Sequence, residues 1–379
     1  MRKAFICPTK YVQGEDELLN LGYFVTTFGK KGLVIIDQEV YDIVKPKLEQ
    51  TKKNFDIDLY IGIFNGECSR EEIARLKKVS ADESCDCTIG IGGGKTLDTA
   101  KCVAEGEALI ICPTIAATDA PTSHSAVVYH EDGTFDDYFY FKQSPSVILI
   151  DTTTIAGAPV RFLVSGMGDA LATYFEARNT FRANANVNAG LPCGYLTKQT
   201  APAKSTLSAQ VLAHACYRNL LEYGEQARDA NARHVVTPAL EAIIETNILL
   251  SGLGFESGGL SAAHAIYDGF TIYKGSKHMY HGEEVAFGTL AMLVMQGAEQ
   301  SEIKEVLDFC LAVGLPVTLA DIGAESITDD ELLAVAEKAC IPEESVHSIP
   351  FAVDPLMVKN AIIAADEIGK NYREHGRLA

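Results

Sequence analysis

The sequence has no uninterrupted apolar run of the length a membrane span needs, about 18 residues, so no transmembrane helix is expected. Its start, MRKAFICPTKYVQG, carries basic residues but no apolar stretch behind them, so no secretory signal is expected. Basic charge is in short supply. There are 32 Lys and Arg against 51 Asp and Glu, a net charge of −19. A surface of that sign repels phosphate backbones and anionic lipid, so nucleic acid and membrane are poor partners, whereas a small neutral substrate is unaffected. Low-complexity tracts and internal repeats are also missing. The ten cysteines stand singly except for Cys85 and Cys87. No second pair accompanies them to hold a metal, and the spacing is not that of a disulfide scaffold. That pattern fits a reduced, cytoplasmic enzyme and makes Cys85 and Cys87 two residues of a strand.

What is present is enough for two domains: 379 residues, of which 47% are hydrophobic. The first ~155 residues alternate between strand and helix patterns. Apolar, β-branched runs lie at 33–37, 59–64, 87–93, 109–114, 125–129 and 146–151. Ser69 and Glu72 form a capping box that opens an amphipathic helix through Val79. Such alternation predicts a parallel α/β sheet. Beyond residue 160 only helical patterns follow, at 169–181, 205–223, 238–250, 258–270, 281–297, 301–313, 329–340 and 355–372, with a second capping box at Thr328 and Glu331. The expected fold class is therefore an α/β N-terminal nucleotide-binding domain, residues 1–158, and an all-α C-terminal metal-binding domain, residues 159–379. The Gly157–Pro159 segment marks the boundary, and the cleft between the halves is the expected ligand site. The stretch AGLPCGYLTKQTAPAKS, 189–205, reads as a loop or insertion within the helical half.

Two constellations carry chemistry. GGGKTLDTAK, 92–101, follows a strand and opens a helix. Gly92, Gly93 and Gly94 let the backbone approach a ligand closely. The helix N-terminus then offers free N–H groups and a positive dipole end to a pyrophosphate. A tight turn with no ligand is the competing reading of this loop. Asp37, ending the strand LVIID, is a candidate ribose partner that would favour NAD over NADP, although such an Asp is often only a turn residue. It precedes the glycines by 55 residues, whereas a standard Rossmann acid follows them by ~20, so a different α/β nucleotide fold is expected. The second constellation is metal-like. Asp169 opens a helical pattern in GMGDALATYFEAR, His264 lies on an Ala-rich helix, and His281 and His278 sit in HMYHGEEVAFG. An Asp with two His suits Zn²⁺ or Fe²⁺ and leaves a coordination position for substrate oxygen. His278 and His281, at i and i+3, would share a face if that segment were helical.

Taken together, GGGKTLDTAK, TIAATDAPTS (114–123), IDTTTIAGAPVRFLVSGMGDALATYFE (150–176), GFESGGLSAAHA (254–265) and YHGEEVAFG (280–288) resemble the iron-type alcohol dehydrogenase family in its glycerol dehydrogenase branch. The resemblance spans nearly the whole chain. It implies a dehydroquinate synthase-like fold and a metal site of Asp169, His264 and His281, with zinc as the branch's usual metal and Fe²⁺ as the alternative. It implies an NAD site of Asp37, Gly94, Lys95, Asp98, Thr114 and Thr118, with Ser123, Ser125 and Tyr129 lining the nicotinamide side. Asp119 matches the position that holds a polyol hydroxyl, and Phe255 matches a wall of the substrate pocket. His278, ribose and water remain the candidate proton acceptors. The implied partners are a small polyol and further copies of the chain, with an octamer of stacked tetramers as one arrangement. A glycerol-1-phosphate dehydrogenase would need a basic cluster for the phosphate, and the stretch around Asp119 has no Lys or Arg. A lyase of the dehydroquinate synthase type would need several, and 251–288 contains only Lys274 and Lys277. A non-enzymatic binding protein is the third alternative, and the intact Asp/His/His set argues against it.

Overall fold

The computed structural model describes residues 1–190, 202–376 and 378. Eight strands are β1 (Lys10–Gly14), β2 (Lys31–Ile36), β3 (Asp58–Ile63), β4 (Cys87–Gly92), β5 (Leu109–Pro113), β6 (Ser125–Tyr129), β7 (Phe135–Tyr140) and β8 (Val147–Asp151). Six of them form one all-parallel sheet in the order β1-β8-β5-β4-β2-β3. Period-two alternation assigns each strand residue to a face. Val34 and Ile36 pack with Ile89, Ile91, Ile110 and Leu149 under the helices Leu21–Thr26 and Gln38–Phe55. Leu33 and Ile35 face the other way, with Ile111, Ile148, Ile73 and Leu97. That second core continues without a break into the helical half, through Met167, Leu171, Phe175 and Phe287. Burying both faces explains why these strands read as unbroken apolar runs.

Several sequence expectations are corrected. SAVVY is a strand, but β6 pairs antiparallel with β7 in a separate hairpin rather than joining the parallel sheet. β1 and β7 are extra strands, too rich in polar residues (KYVQG, FDDYFY) to announce themselves. Cys87 begins β4, whereas Cys85 lies before it. Ser69 does cap its helix, accepting from Glu72 N at 3.2 Å, but the Glu72 carboxylate turns to Asn65 and Arg75 instead of closing the box. Thr328 and Glu331 form the full reciprocal box. Within the pattern 258–270 the helix starts only at Ala262 and runs to Phe270; Gly258 ends the preceding helix, Ser251–Gly258, and Gly259, where φ is 102°, separates the two. The pattern 238–250 is a helix, Pro238–Glu245, running into a π-helical turn, Thr246–Leu250.

The largest correction concerns Asp169, which does not open a helix. It sits inside Val160–Ala183, nine residues beyond the start. Gly166 and Gly168 lie within the helix, with other backbone pressed against them. A Cβ at Gly168 would collide with the Gly282 carbonyl, and one at Gly282 with the Ser165 carbonyl. Tertiary packing outweighs the helix-breaking tendency of glycine here, and the close approach draws Asp169 and His281 onto one spot. Among the described residues no strand lies beyond β8, apart from a single bridge between Lys3 and Lys204. No described helix is long and apolar enough to cross a membrane. Of the stretch 189–205, residues 191–201 lie outside the described residues. The nine cysteines described are all free thiols, six of them buried.

Candidate active site

The glycine loop lies at the C-terminal edge of the sheet, where open α/β sheets bind ligands. β2 and β4 are neighbours, with Ile36 paired to Ile91. The residue after β2, Asp37, and the loop after β4 therefore meet, despite the 55 residues between them. Asp37 Oδ2 accepts from Thr96 Oγ1 at 2.6 Å. Gly94 begins the helix Gly94–Ala104, and a Cβ added there would meet nothing within 4 Å, so open space lies in front of the helix N-terminus. A Cβ at Gly92 would lie 2.9 Å from Thr96 Oγ1. Thr114, at the end of β5, donates its N–H to Gly92 O at 3.0 Å. Lys95 reaches out of the helix, 2.7 Å from Glu67 Oε2 and 5.0 Å from the centre of the Tyr129 ring. Burial, with the charges of Asp98 and Glu67 nearby, pushes the Tyr129 phenol up to about 12. These groups offer an anion cradle, a carboxylate for a ribose and a neutral aromatic ring, which fits a dinucleotide.

Asp98 faces the other way. Its Oδ1 lies 3.1 Å from Lys101 Nζ and its Oδ2 accepts from Val127 N at 3.0 Å, so both oxygens are engaged inside the protein. Burial raises its pKa and Lys101 opposes the rise. Ser123 is buried too, with its hydroxyl within reach of Lys101 Nζ, Ala120 O and Ser125 O. Ser125 and Thr118 are half-buried.

In the helical half three ligand-type atoms converge. His264 Nε2 and His281 Nε2 each stand 3.2 Å from Asp169 Oδ1, and all three groups fit within 4.8 Å. Burial alone would raise Asp169, yet the two imidazoles hold it well below the usual carboxylate range. Burial likewise disfavours a charged His264, but Glu176 and Asp169 overcome it and raise its pKa well above 6.5. A divalent cation would take the place of that proton, which is how such donor sets bind metal. His278 is exposed and outside the cluster. Its segment, 271–279, is not helical, so it shares no helix face with His281, the first residue of His281–Met295.

Glu176 escaped the sequence reading. It is wholly buried, and it takes His264 Nδ1 at 2.6 Å on one oxygen and the N–H groups of Ser261 and His264 on the other. This fixes the ring so that Nε2 presents its lone pair to the cluster, the carboxylate–histidine arrangement common at metal sites. The available signal was its spacing: Asp169 and Glu176 are seven residues, two turns, apart on one face. Replacing Glu176 with Gln is expected to weaken metal affinity by about 10- to 100-fold while leaving the fold intact. Competition against a fluorescent chelator measures it, and unchanged affinity would refute the assigned role.

Asp119 links the two halves. Its N–H donates to Asp169 Oδ2 at 3.2 Å, and its own Oδ2 accepts from Ser251 Oγ at 2.7 Å, with Thr173 Oγ1 2.9 Å beyond. Burial and the charge of Asp169 raise its pKa well above the ordinary value. Ser251 lies four residues before half-buried Phe255 on the same helix. The neighbouring Glu256 is buried and hydrogen-bonded to the His124 ring and to His124 N. Ser251, Glu256 and His124 were also missed, being ordinary polar residues whose partners lie 78 to 132 positions away.

Residues 8–152 match the family model described as iron-containing alcohol dehydrogenase. A glycerol dehydrogenase of Citrobacter freundii is 45% identical over 98% of this chain and 99% of its own. A glycolaldehyde reductase of Halobacterium salinarum is 41% identical over 99% of this chain and 100% of its own. The crystal structure of glycerol dehydrogenase from Schizosaccharomyces pombe superposes with a TM-score of 0.91 at 36% identity, covering 100% of this chain and 95% of that one.

Proposed function

The chain belongs to the iron-containing alcohol dehydrogenase family, and from that premise we propose that it oxidises glycerol, or a closely related vicinal diol, to the hydroxyketone with NAD and a divalent metal. The observation that carries the reading is the bond between Asp119 N and Asp169 Oδ2. It sets a second, polar carboxylate beside the metal ligands, where a substrate with two adjacent hydroxyls has a use for both.

Asp169, His264 and His281 would hold the cation, with zinc as the expected metal and iron(II) as the alternative. When bound, the cation supplies Lewis acidity that lowers the pKa of a substrate hydroxyl, and the nicotinamide supplies the hydride acceptor. The chain's own work is positioning. Gly92, Gly93, Gly94 and the helix behind them receive the pyrophosphate, with Lys95 alongside. Asp37, steadied by Thr96, takes the ribose, and its negative charge repels a 2′-phosphate. Thr114 and Thr118 line the approach, and Ser123, Ser125 and Tyr129 form the nicotinamide side. Asp119, held by Ser251, orients the neighbouring hydroxyl, and Phe255 closes the pocket. The proton leaves by ribose or water; exposed His278 is the remaining candidate.

Lys101 bears on the phosphorylated alternative. It is bonded to the loop carrying Asp119, and its ammonium is occupied by four protein acceptors. It has no capacity left for a substrate phosphate. A second reading, reduction of a small hydroxyaldehyde at the same site, is favoured by the similarity to the glycolaldehyde reductase. Both are tested by following NADH with zinc-loaded protein. The panel is glycerol, 1,2-propanediol, 2,3-butanediol, ethanol and glycerol-1-phosphate in one direction, and dihydroxyacetone and glycolaldehyde in the other. Specificity constants highest for glycerol and dihydroxyacetone support the first reading. Glycolaldehyde far above dihydroxyacetone would shift it to the second, and activity confined to the phosphate would overturn both.

A further inference from the structure

Lys101 is among the largest fully buried side chains of the protein, with 1% of its surface exposed. A buried ammonium is costly unless it is paired and hydrogen-bonded, and an apolar side chain would fill the same space at less cost. Here the pairing is complete. Nζ lies 2.5 Å from Ala120 O, 2.9 Å from Ser123 Oγ, 2.9 Å from Ser125 O and 3.1 Å from Asp98 Oδ1. Asp98 in turn takes Val127 N. The pair therefore grips both ends of the 120–125 turn from below, starting one residue after Asp119.

The rest of the turn is held from the opposite side. Asp119 bonds to Asp169 and Ser251, Thr122 Oγ1 to Ile248 O, and His124 to Glu256. Those partners all belong to the helical, metal-bearing half. Lys101 and Asp98 belong to the helix that starts at the glycine loop, 94–104. The turn is thus suspended between the metal half and the cofactor helix, and Lys101 is its attachment to the cofactor side.

We propose that Lys101 is a positioning residue that fixes the distance between Asp119 and the glycine loop, so that the diol held by Asp119 meets the dinucleotide in register. The proposal rests on the substrate role given to Asp119 above. Its spacing from Asp98, three residues along one helix, was visible in GGGKTLDTAK, but its partners at 120–125 were not.

The test is Lys101→Met, which keeps the length of the side chain and removes the charge. Glycerol kcat is expected to fall by about 10²-fold, the scale of an ångström-level misplacement. The metal content and the calorimetric affinity of the metal-free protein for NAD are expected to stay unchanged, and ethanol turnover to fall far less than glycerol turnover. Amide exchange at 119–125 should quicken while the sheet keeps its protection. A general loss of stability would lower both substrates alike. Ser123→Ala removes one of the four acceptors and should move the same quantities in the same direction by less than about tenfold. It decides the matter if Lys101→Met does not fold. Wild-type glycerol kcat in a folded Lys101→Met protein, or in Ser123→Ala should the first not fold, overturns the proposal. So does a loss shared equally by glycerol and ethanol with unchanged exchange at 119–125. A wild-type protein inert on every diol would instead overturn the substrate role on which the proposal rests, and would do so whatever the exchange data show.

Discussion

Asp169→Asn is expected to empty the metal site and reduce glycerol turnover by about 10³-fold or more. The substitution keeps the side chain's shape and removes its charge. In the native protein that charge faces two imidazole nitrogens, each 3.2 Å away, and the imidazoles hold it ionised against its burial. A neutral amide offers a divalent cation a much poorer ligand at the centre of the set. Lewis-acid assistance supplies several kcal/mol of transition-state stabilisation, at about 1.4 kcal/mol per tenfold in rate. Elemental analysis of the purified variant and its kcat on glycerol give the answer together. A variant that retains one metal per chain and turns over within tenfold of the native rate would remove Asp169 from the ligand set.

Asp119→Ala is expected to damage diol oxidation selectively. A hydrogen bond to a charged group contributes about 1.5–3 kcal/mol, so kcat/KM for glycerol should fall by roughly 10- to 150-fold, with ethanol nearly unaffected. The fold should tolerate the change. Ser251 Oγ keeps Thr173 Oγ1 as a partner at 2.9 Å, and the Asp119 N–H bond to Asp169 belongs to the backbone. The specificity constants of the two substrates measure the effect. Equal losses on both would show that Asp119 supports the site without selecting the substrate.

How much of this was legible depended on the range of the interaction. Runs such as LVIID and SVILID announced buried parallel strands, because both sheet faces are covered. KYVQG and FDDYFY did not, because β1 is an edge strand and β7 lies half-exposed outside the sheet. Asp169, His264 and His281 stood out as ligand types among small residues. The reason those residues are small became visible only when the Gly168 and Gly282 backbones were seen pressed together. The same contact explains the misplaced helix start, since glycine is a helix breaker only until a neighbouring chain needs the room. The partners of Glu176, Ser251, Lys101 and Glu256 were not visible in the sequence. Each of these residues acquires its role from a partner that the fold supplies, and single-chain patterns carry no record of such partners. Asp98 illustrates the converse: its motif suggested ligand contact, and its side chain is turned into the protein.

The central claim is that one metal, held by Asp169, His264 and His281, enables NAD-linked oxidation of a vicinal diol. The most direct measurement is NADH formation from glycerol by protein stripped with a chelator and then reloaded with zinc or iron(II). The account predicts silence from the stripped protein and recovery at one metal per chain. Glycerol oxidation at the full rate in protein shown to contain no metal would contradict it.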